Sequence, residues 1–270
     1  MSKSALSGRS SMAKWKRRFL WASALVISCV VYLWLFGVQT FCALQTRNIG
    51  REIPIVKSVP LELHDLTVST VKGEKLSFMG AEFEVPWDDV DEEKSRIVGN
   101  WVLILFRSGN SIILCVSPPG DFINNISKNK ALDPRLFTAI YGPEVLRSDY
   151  ALHKAIFETT PSQITLFTPA NRAAGLSSVI LIKAIMPPTT DWAIYNIRSN
   201  DFKGFQLGDP VRRPKKMCLE LYADDVEFEI NISQNTSGPT PGITQAEINR
   251  IIQTAHKAAH PQSIFTVNPS

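Results

Sequence analysis

Two histidines four residues apart, His256 and His260 in HKAAH, are the first pair in the sequence with ligand spacing, since on a helix they would share one face. Lys257 stands where a zinc-peptidase helix carries its glutamate, Pro261 stops the helix at once, and no third ligand lies nearby. Surface histidines at a helix end are the better reading. The acidic run Asp88-Asp89-Val90-Asp91-Glu92-Glu93 has neither the alternating ligands, the central glycine nor the distal glutamate of a calcium loop, and reads as a solvated turn. Arg212-Arg213-Pro214-Lys215-Lys216 is the basic cluster of the body; it reads as a charged loop, with lipid headgroups or an acidic partner as its functional alternative. Gly204, Gly208 and Pro210 suit turns, because no helix follows them to complete a phosphate cradle.

Nucleophilic chemistry finds no linear motif. There is no G-x-S-x-G, and neither Ser127-Lys128-Asn129-Lys130 nor the stretch from Ser4 to Arg9 forms a persuasive site. Cys115 sits in an apolar strand, where a thiol acts as a small hydrophobe. His64 and His153 are left as the bases that a hydrolytic site assembled from separate loops would need, with an acid or hydroxyl nucleophile brought to one of them. No catalytic residue is assigned, and no metal or cofactor is expected. Cys115 and Cys218 could bridge in an oxidising compartment, and sequons stand at Asn125, Asn231 and Asn235.

The elements that must position these residues fall into an attachment and a body. Of 29 Lys plus Arg and 25 Asp plus Glu, residues 1–18 hold six cations and no acid, so the net charge of +4 is a property of the tail and the remainder carries −2. A slightly acidic body argues against nucleic acid as a partner. The 44% hydrophobic content excludes a disordered chain, and four cysteines exclude a disulfide scaffold.

Residues 19–44, FLWASALVISCVVYLWLFGVQTFCAL, are 26 in number and free of charge. As a helix they span about 39 Å, more than the ~30 Å hydrocarbon layer. A cleaved signal peptide has a shorter apolar region. The lipobox-like Val26-Ile27-Ser28-Cys29 is followed by more apolar residues where a lipoprotein turns polar, and a buried soluble helix rarely has so long a charge-free run behind a basic front. The segment therefore reads as a single-pass signal anchor. Lys14, Lys16, Arg17 and Arg18 place residues 1–18 in the cytoplasm as a basic tail and the body outside it.

Residues 45–60, with two prolines and scattered charge, read as a short stalk. Residues 61–270 read as one extracytoplasmic α+β domain with a largely antiparallel sheet and about three helices. Gly80, where the alternation of 75–85 changes phase, suggests a β-bulge. Runs 101–106 and 111–116, joined by RSGN, form a hairpin of central strands; 192–197, 202–207, 217–222 and 226–232 are further strands. In the last of these Val226, Phe228, Ile230 and Ile232 face a core and Glu227, Glu229 and Asn231 face water. Ser148-Asp149 opens one helix, Thr168-Pro169 opens another as N-cap and N1, and Thr244 with Glu247 forms a capping box for a third that docks on the sheet. The function this supports is a membrane-anchored binding or accessory module, held to the bilayer through residues 19–44 and serving a protein partner in the membrane or envelope. The alternative is an envelope hydrolase with a non-linear active site.

Overall fold

The computed structural model describes residues 7–71, 73–128, 134–186, 193–199, 201–212, 216–235, 242–257 and 266–268. Among these it is an α+β chain with six α-helices: α1 (Ser7–Glu52), α2 (Asp121–Lys128), α3 (Pro134–Tyr141), α4 (Asp149–Glu158), α5 (Ala170–Ile185) and α6 (Gln245–Thr254). The expectation of about three helices beyond the anchor is thus corrected to five. The two that sequence missed, α2 and α3, are eight residues each, too short for a sustained 3.6-residue period to stand out.

Among the described residues twelve strands form two sheets. Along the chain they are β1 (Leu61–Glu62), β2 (Glu74–Phe78), β3 (Ala81–Val85), β4 (Arg96–Val98), β5 (Trp101–Leu105), β6 (Ser111–Ser117), β7 (Ile194–Arg198), β8 (Lys203–Leu207), β9 (Lys216–Tyr222), β10 (Glu227–Ser233), β11 (His256–Lys257) and β12 (Thr266–Asn268). The large sheet has the order β1-β7-β8-β9-β10-β6-β5-β4, and the small one β11-β3-β2-β12. The large sheet is mixed: β1 runs parallel to β7, and the other described pairings are antiparallel. The hairpin of β5 and β6 lies toward one edge rather than in the centre, with only the short β4 beyond it.

The small sheet corrects the reading of Gly80. Met79 (φ 48°) and Gly80 (φ 86°) are both left-handed and form the two-residue turn between β2 and β3, which pair from Glu74↔Val85 to Phe78↔Ala81. A hairpin reversal shifts the alternation just as a bulge would, and two consecutive positive φ values mark the turn type that favours glycine.

The large sheet is the middle of three layers. On one face Val102, Leu114, Leu219, Ile230 and their neighbours pack with the small sheet and with Ile248, Ile251 and Ile252 of α6. On the other face Ile194, Phe205, Cys218 and Tyr222 pack with α3, α4, α5 and the end of α1. Tertiary cover on both faces explains why Glu227, Glu229 and Asn231 of β10 are only half-exposed, where a one-faced sheet would leave them in water.

Helix α1 is unbroken over 46 residues and has two unlike halves. It is long and apolar enough to cross a membrane, and from Phe19 to Leu35 it is bare of packing apart from the half-covered Ser23. From Gln39 onward Cys42, Thr46 and Gly50 recur at helical spacing on a buried face, which lies against α5. The expected stalk at 45–60 is therefore the last turns of α1 and a 3₁₀ turn (Pro54–Lys57) whose Ile55 and Val56 are in the core. Of the two prolines that suggested a linker, Pro54 follows the end of the helix and starts that turn, and Pro60 stands just before β1.

Lys183 of α5 locks this junction. Its side chain is fully buried, and Nζ donates to the carbonyls of Ser58 (2.5 Å), Phe157 (2.6 Å) and Thr159 (3.0 Å). Burial pulls its pKa down to about 7. The C-terminal ends of α1 and α5 thus meet, and each feeds one of the two parallel neighbours, β1 and β7.

Candidate functional site

The sheet face beneath α2 and α4 carries a polar row across three strands. In the registers Cys115↔Glu229↔Glu220 and Ser117↔Glu227↔Tyr222, strands β6, β10 and β9 bring three glutamates, a tyrosine, a serine and a thiol side by side. Helix α4 supplies Asp149 and His153, and α2 supplies Asp121, Phe122 and Asn125. Between them lies a cleft of about 150 Å³, lined among others by Ser117, Asp121, His153, Glu220, Glu227 and Glu229.

Each acid has a distinct environment. Asp149, fully buried, accepts from the amides of Phe122 (2.9 Å) and Ile123 (3.1 Å), so a side chain distant in sequence caps α2. Glu227 shares a hydrogen bond with Asp149, and its pKa rises to about 8, first because burial disfavours the carboxylate and then because Asp149 is a like charge. Glu220 is buried and accepts from Tyr222 Oη at 2.8 Å; burial raises its pKa, opposed by His153 and by that hydrogen bond. Glu229 accepts from Asn231 at 2.7 Å. His153 holds the carbonyl of Asp149 through Nδ1 at 2.9 Å. A carbonyl oxygen only accepts, so Nδ1 carries the hydrogen and Nε2 is the ring's other polar atom. The imidazole stacks on Phe122, with centroids 4.1 Å apart.

This is a store of protons and negative charge. It can bind a cationic group, and Glu227 is a carboxylic acid poised to exchange a proton near neutrality. The amides of Phe122 and Ile123 at the start of α2, natural donors for a developing oxyanion, are already taken by Asp149.

A larger groove of about 720 Å³ lies between β7, β8 and α6, its walls including Tyr150, Lys154, Arg198 and Lys203. Lys203 Nζ sits 4.5 Å from the Tyr150 ring centroid. Asn196 donates to Glu62 at 2.8 Å, while its own Oδ1 is a buried acceptor with no partner among the described residues.

The residues singled out by sequence fare differently. His153 does meet acids in a cleft; His64 is exposed and lines neither concavity. The helical reading of His256 is corrected: α6 ends at Thr254, and His256 pairs in β11 with Glu82 of β3, its Nε2 3.1 Å from that carboxylate. His260 lies outside the described residues. Among those residues no group of three His, Cys, Asp or Glu is placed to hold a metal. In the acidic run, Asp89 accepts from Ser108 N at 2.5 Å and Asp91 pairs with Lys94 at 2.7 Å, so both brace turns. Arg212 is 3.8 Å from Asp209, Lys216 begins β9, and 213–215 are outside the description.

Gly204 is required by a close approach: a Cβ there would fall 1.8 Å from the carbonyl oxygen of Glu220 in β9. Gly208 has φ 112° and serves the turn after β8. Ser127 donates to Ile123 within α2, and Asn125 is exposed on the same helix beside Asp121. Asn231 is in β10, and Asn235 donates to the carbonyl of Ser108 at 3.0 Å. Cys115 and Cys218 are free, and β10 runs between their strands with Cys115 level with Glu229 and Cys218 level with Asn231, which sets them roughly 12 Å apart, beyond disulfide reach.

Sequence reasoning missed Asp149, Glu220 and Glu227. The available signal was Glu220, an acid flanked by leucines in the apolar run MCLELY, since a strand covered on both faces forces such an acid indoors. Comparison of the chain with protein-family models, curated proteins and solved structures found no match.

Proposed function

We propose that the chain is a single-pass, membrane-anchored binding module whose domain stands outside the cytoplasm and receives a partner protein at the membrane surface. The observation that carries this reading is the division of α1 into a bare apolar half and a half packed into the domain's core. A soluble protein does not leave such a rod in water. The basic tail before it favours a cytoplasmic N-terminus. The cleft under α2 and α4 is the feature suited to a lysine or arginine side chain of the partner, because its acids are held in place by the fold before any ligand arrives.

Orientation is tested by tagging each end in intact cells: a membrane-impermeant reagent should reach the C-terminal tag and not one near Lys3, and the reverse sinks the reading. Binding is tested by crosslinking full-length protein in cells, extracting it in detergent and identifying its partners by mass spectrometry, beside Glu229→Gln. A partner captured by the native protein and lost from the variant supports the cleft; identical capture by both refutes it.

A hydrolase is the second reading, favoured by the meeting of His153 with Glu220 near Ser117. It requires turnover of ester, peptide or glycoside substrates that His153→Ala abolishes, and a reaction indifferent to that change removes it.

A further inference from the structure

Leu166 and Phe167 lie between the 3₁₀ turn Pro161–Gln163 and α5, and they are 44% and 91% exposed. Such a pair on a loop tip is costly in water unless something covers it. The tip is not a slack segment. Thr165 N donates to Thr168 Oγ1 at 2.9 Å, Thr168 N donates to the Thr165 carbonyl at 3.1 Å, and Thr168 Oγ1 donates to the Gln163 carbonyl at 3.2 Å. The threonine that sequence assigned as the N-cap of α5 is therefore spent on fixing this turn, with the two apolar side chains at its apex.

Its place relative to α1 follows from the junction already described. The ends of α1 and α5 meet through Lys183 and Ser58, and Val56 and Lys57 fold back against Gly50. The two helices run in the same sense, since their C-terminal ends meet while α1 also packs against α5 and against the 3₁₀ turn Pro161–Gln163 that precedes it. Going back thirteen residues, about 20 Å of helix, from Lys183 reaches Ala170, and from Gly50 reaches Gly37. The start of α5 thus stands level with the point where α1 emerges from the domain, and Phe167 lies further on, beside the bare half.

The length of that half supplies the second argument. Residues 19–35 span about 25 Å, and Val38, Phe41 and Leu44 carry an exposed apolar lane past the point where the domain begins to cover α1, so a ~30 Å hydrocarbon layer reaches the domain's near edge and sets it in the interface rather than above it. We propose that Leu166 and Phe167 are a second membrane contact, inserting into the interfacial layer of the same leaflet from which α1 emerges and fixing the domain at two points. The inference rests on the anchor reading of α1, and its test separates the two.

Cys29 lies in the bare half, Cys42 and Cys218 are buried, and Cys115 is half-buried. In a Cys115→Ser background, one full-length protein keeps Cys29 and another carries Cys29→Ser with Phe167→Cys. Each is labelled with a nitrobenzoxadiazole dye and reconstituted in phosphatidylcholine–phosphatidylglycerol vesicles. Quenching by a shallow lipid nitroxide should exceed quenching by aqueous iodide several-fold at both sites. Lipid quenching at residue 29 with strong iodide quenching at residue 167 overturns the second contact and leaves the anchor standing. Iodide quenching at both sites overturns the anchor reading as well. A label at residue 167 sheltered from both quenchers shows that protein, a second copy or a partner, covers the tip, and that also overturns the proposal.

Discussion

The two faces of the large sheet bury polar groups in opposite ways. Against α6 the buried polar side chains are amides in a closed, neutral chain. Gln206 and Gln245 exchange hydrogen bonds at 2.8 and 2.9 Å, Gln245 donates to Asn249 at 2.9 Å, and Asn249 donates to the carbonyls of Asp65 and Thr67 at 2.8 Å. Against α2, α4 and α5 the ionisable groups gather: Asp149, Glu220, His153 and Lys183 are buried and Glu227 half-buried beside them, among neutral hydroxyls such as Thr46, Thr159 and Ser177. A neutral network holds the fold at every pH, whereas a titratable one makes stability depend on protons. Among the described residues, the buried ionisable groups are concentrated where α1 and the cleft both lie.

The heaviest blow to either face is a change that strikes both. Gly204→Ala would drive a methyl into the Glu220 carbonyl and part β8 from β9, so a loss of about 3 kcal/mol or more is expected in urea unfolding. An unchanged midpoint would mean that the strands are not packed so closely.

Lys183→Met, which keeps the stem and removes the ammonium, should cost about 2 to 4 kcal/mol, because three buried carbonyls lose their donor. With the native pKa near 7 against an ordinary 10.5, the unfolded chain holds the extra proton between those values. Native stability should therefore rise with pH through that window relative to the variant, and parallel pH profiles for the two proteins would contradict the burial of this lysine as a titrating group.

Glu227→Gln probes the other sign. A carboxyl raised from 4.5 to about 8 leaves the native state holding more protons, so stability falls as pH rises between those values. The variant should escape that fall and exceed the native protein at pH 9 by about 2 kcal/mol, a figure reduced from full linkage because the group is only partly buried. Equal stability at pH 5 and pH 9 in both proteins would remove the Asp149 pair from the account.

The smallest effect belongs to the neutral face. Thr244→Ala opens the capping box of α6 and should cost about 1 kcal/mol with no pH dependence from 5 to 9. A pH-dependent loss there would erase the contrast between the faces.

What sequence disclosed follows the range over which each signal acts. The box at Thr244 and Glu247, the RSGN hairpin and the alternation of 226–232 are local patterns, and each reappears as an element. The apolar run 19–44 disclosed a helix that could cross a membrane. The cleft was hidden because its members come from β6, β9, β10, α2 and α4, and only strand register sets Glu220 beside Glu229. The junction was hidden for a related reason: a lysine in the apolar helix α5 gives no hint that its partners are carbonyls 24, 26 and 125 residues away. Proline and scattered charge at 45–60 resemble a linker whenever the surface that covers them comes from elsewhere in the chain.

The continuity of α1 has a mechanical consequence. With no joint between its bare and packed halves, a membrane-embedded α1 would act as a shaft: twisting or tilting in the bilayer turns the whole domain with it, and a push on the domain is felt at the basic tail. Such a body would search in two dimensions at a fixed height, and the partners within its reach would be those whose binding surfaces pass at that height.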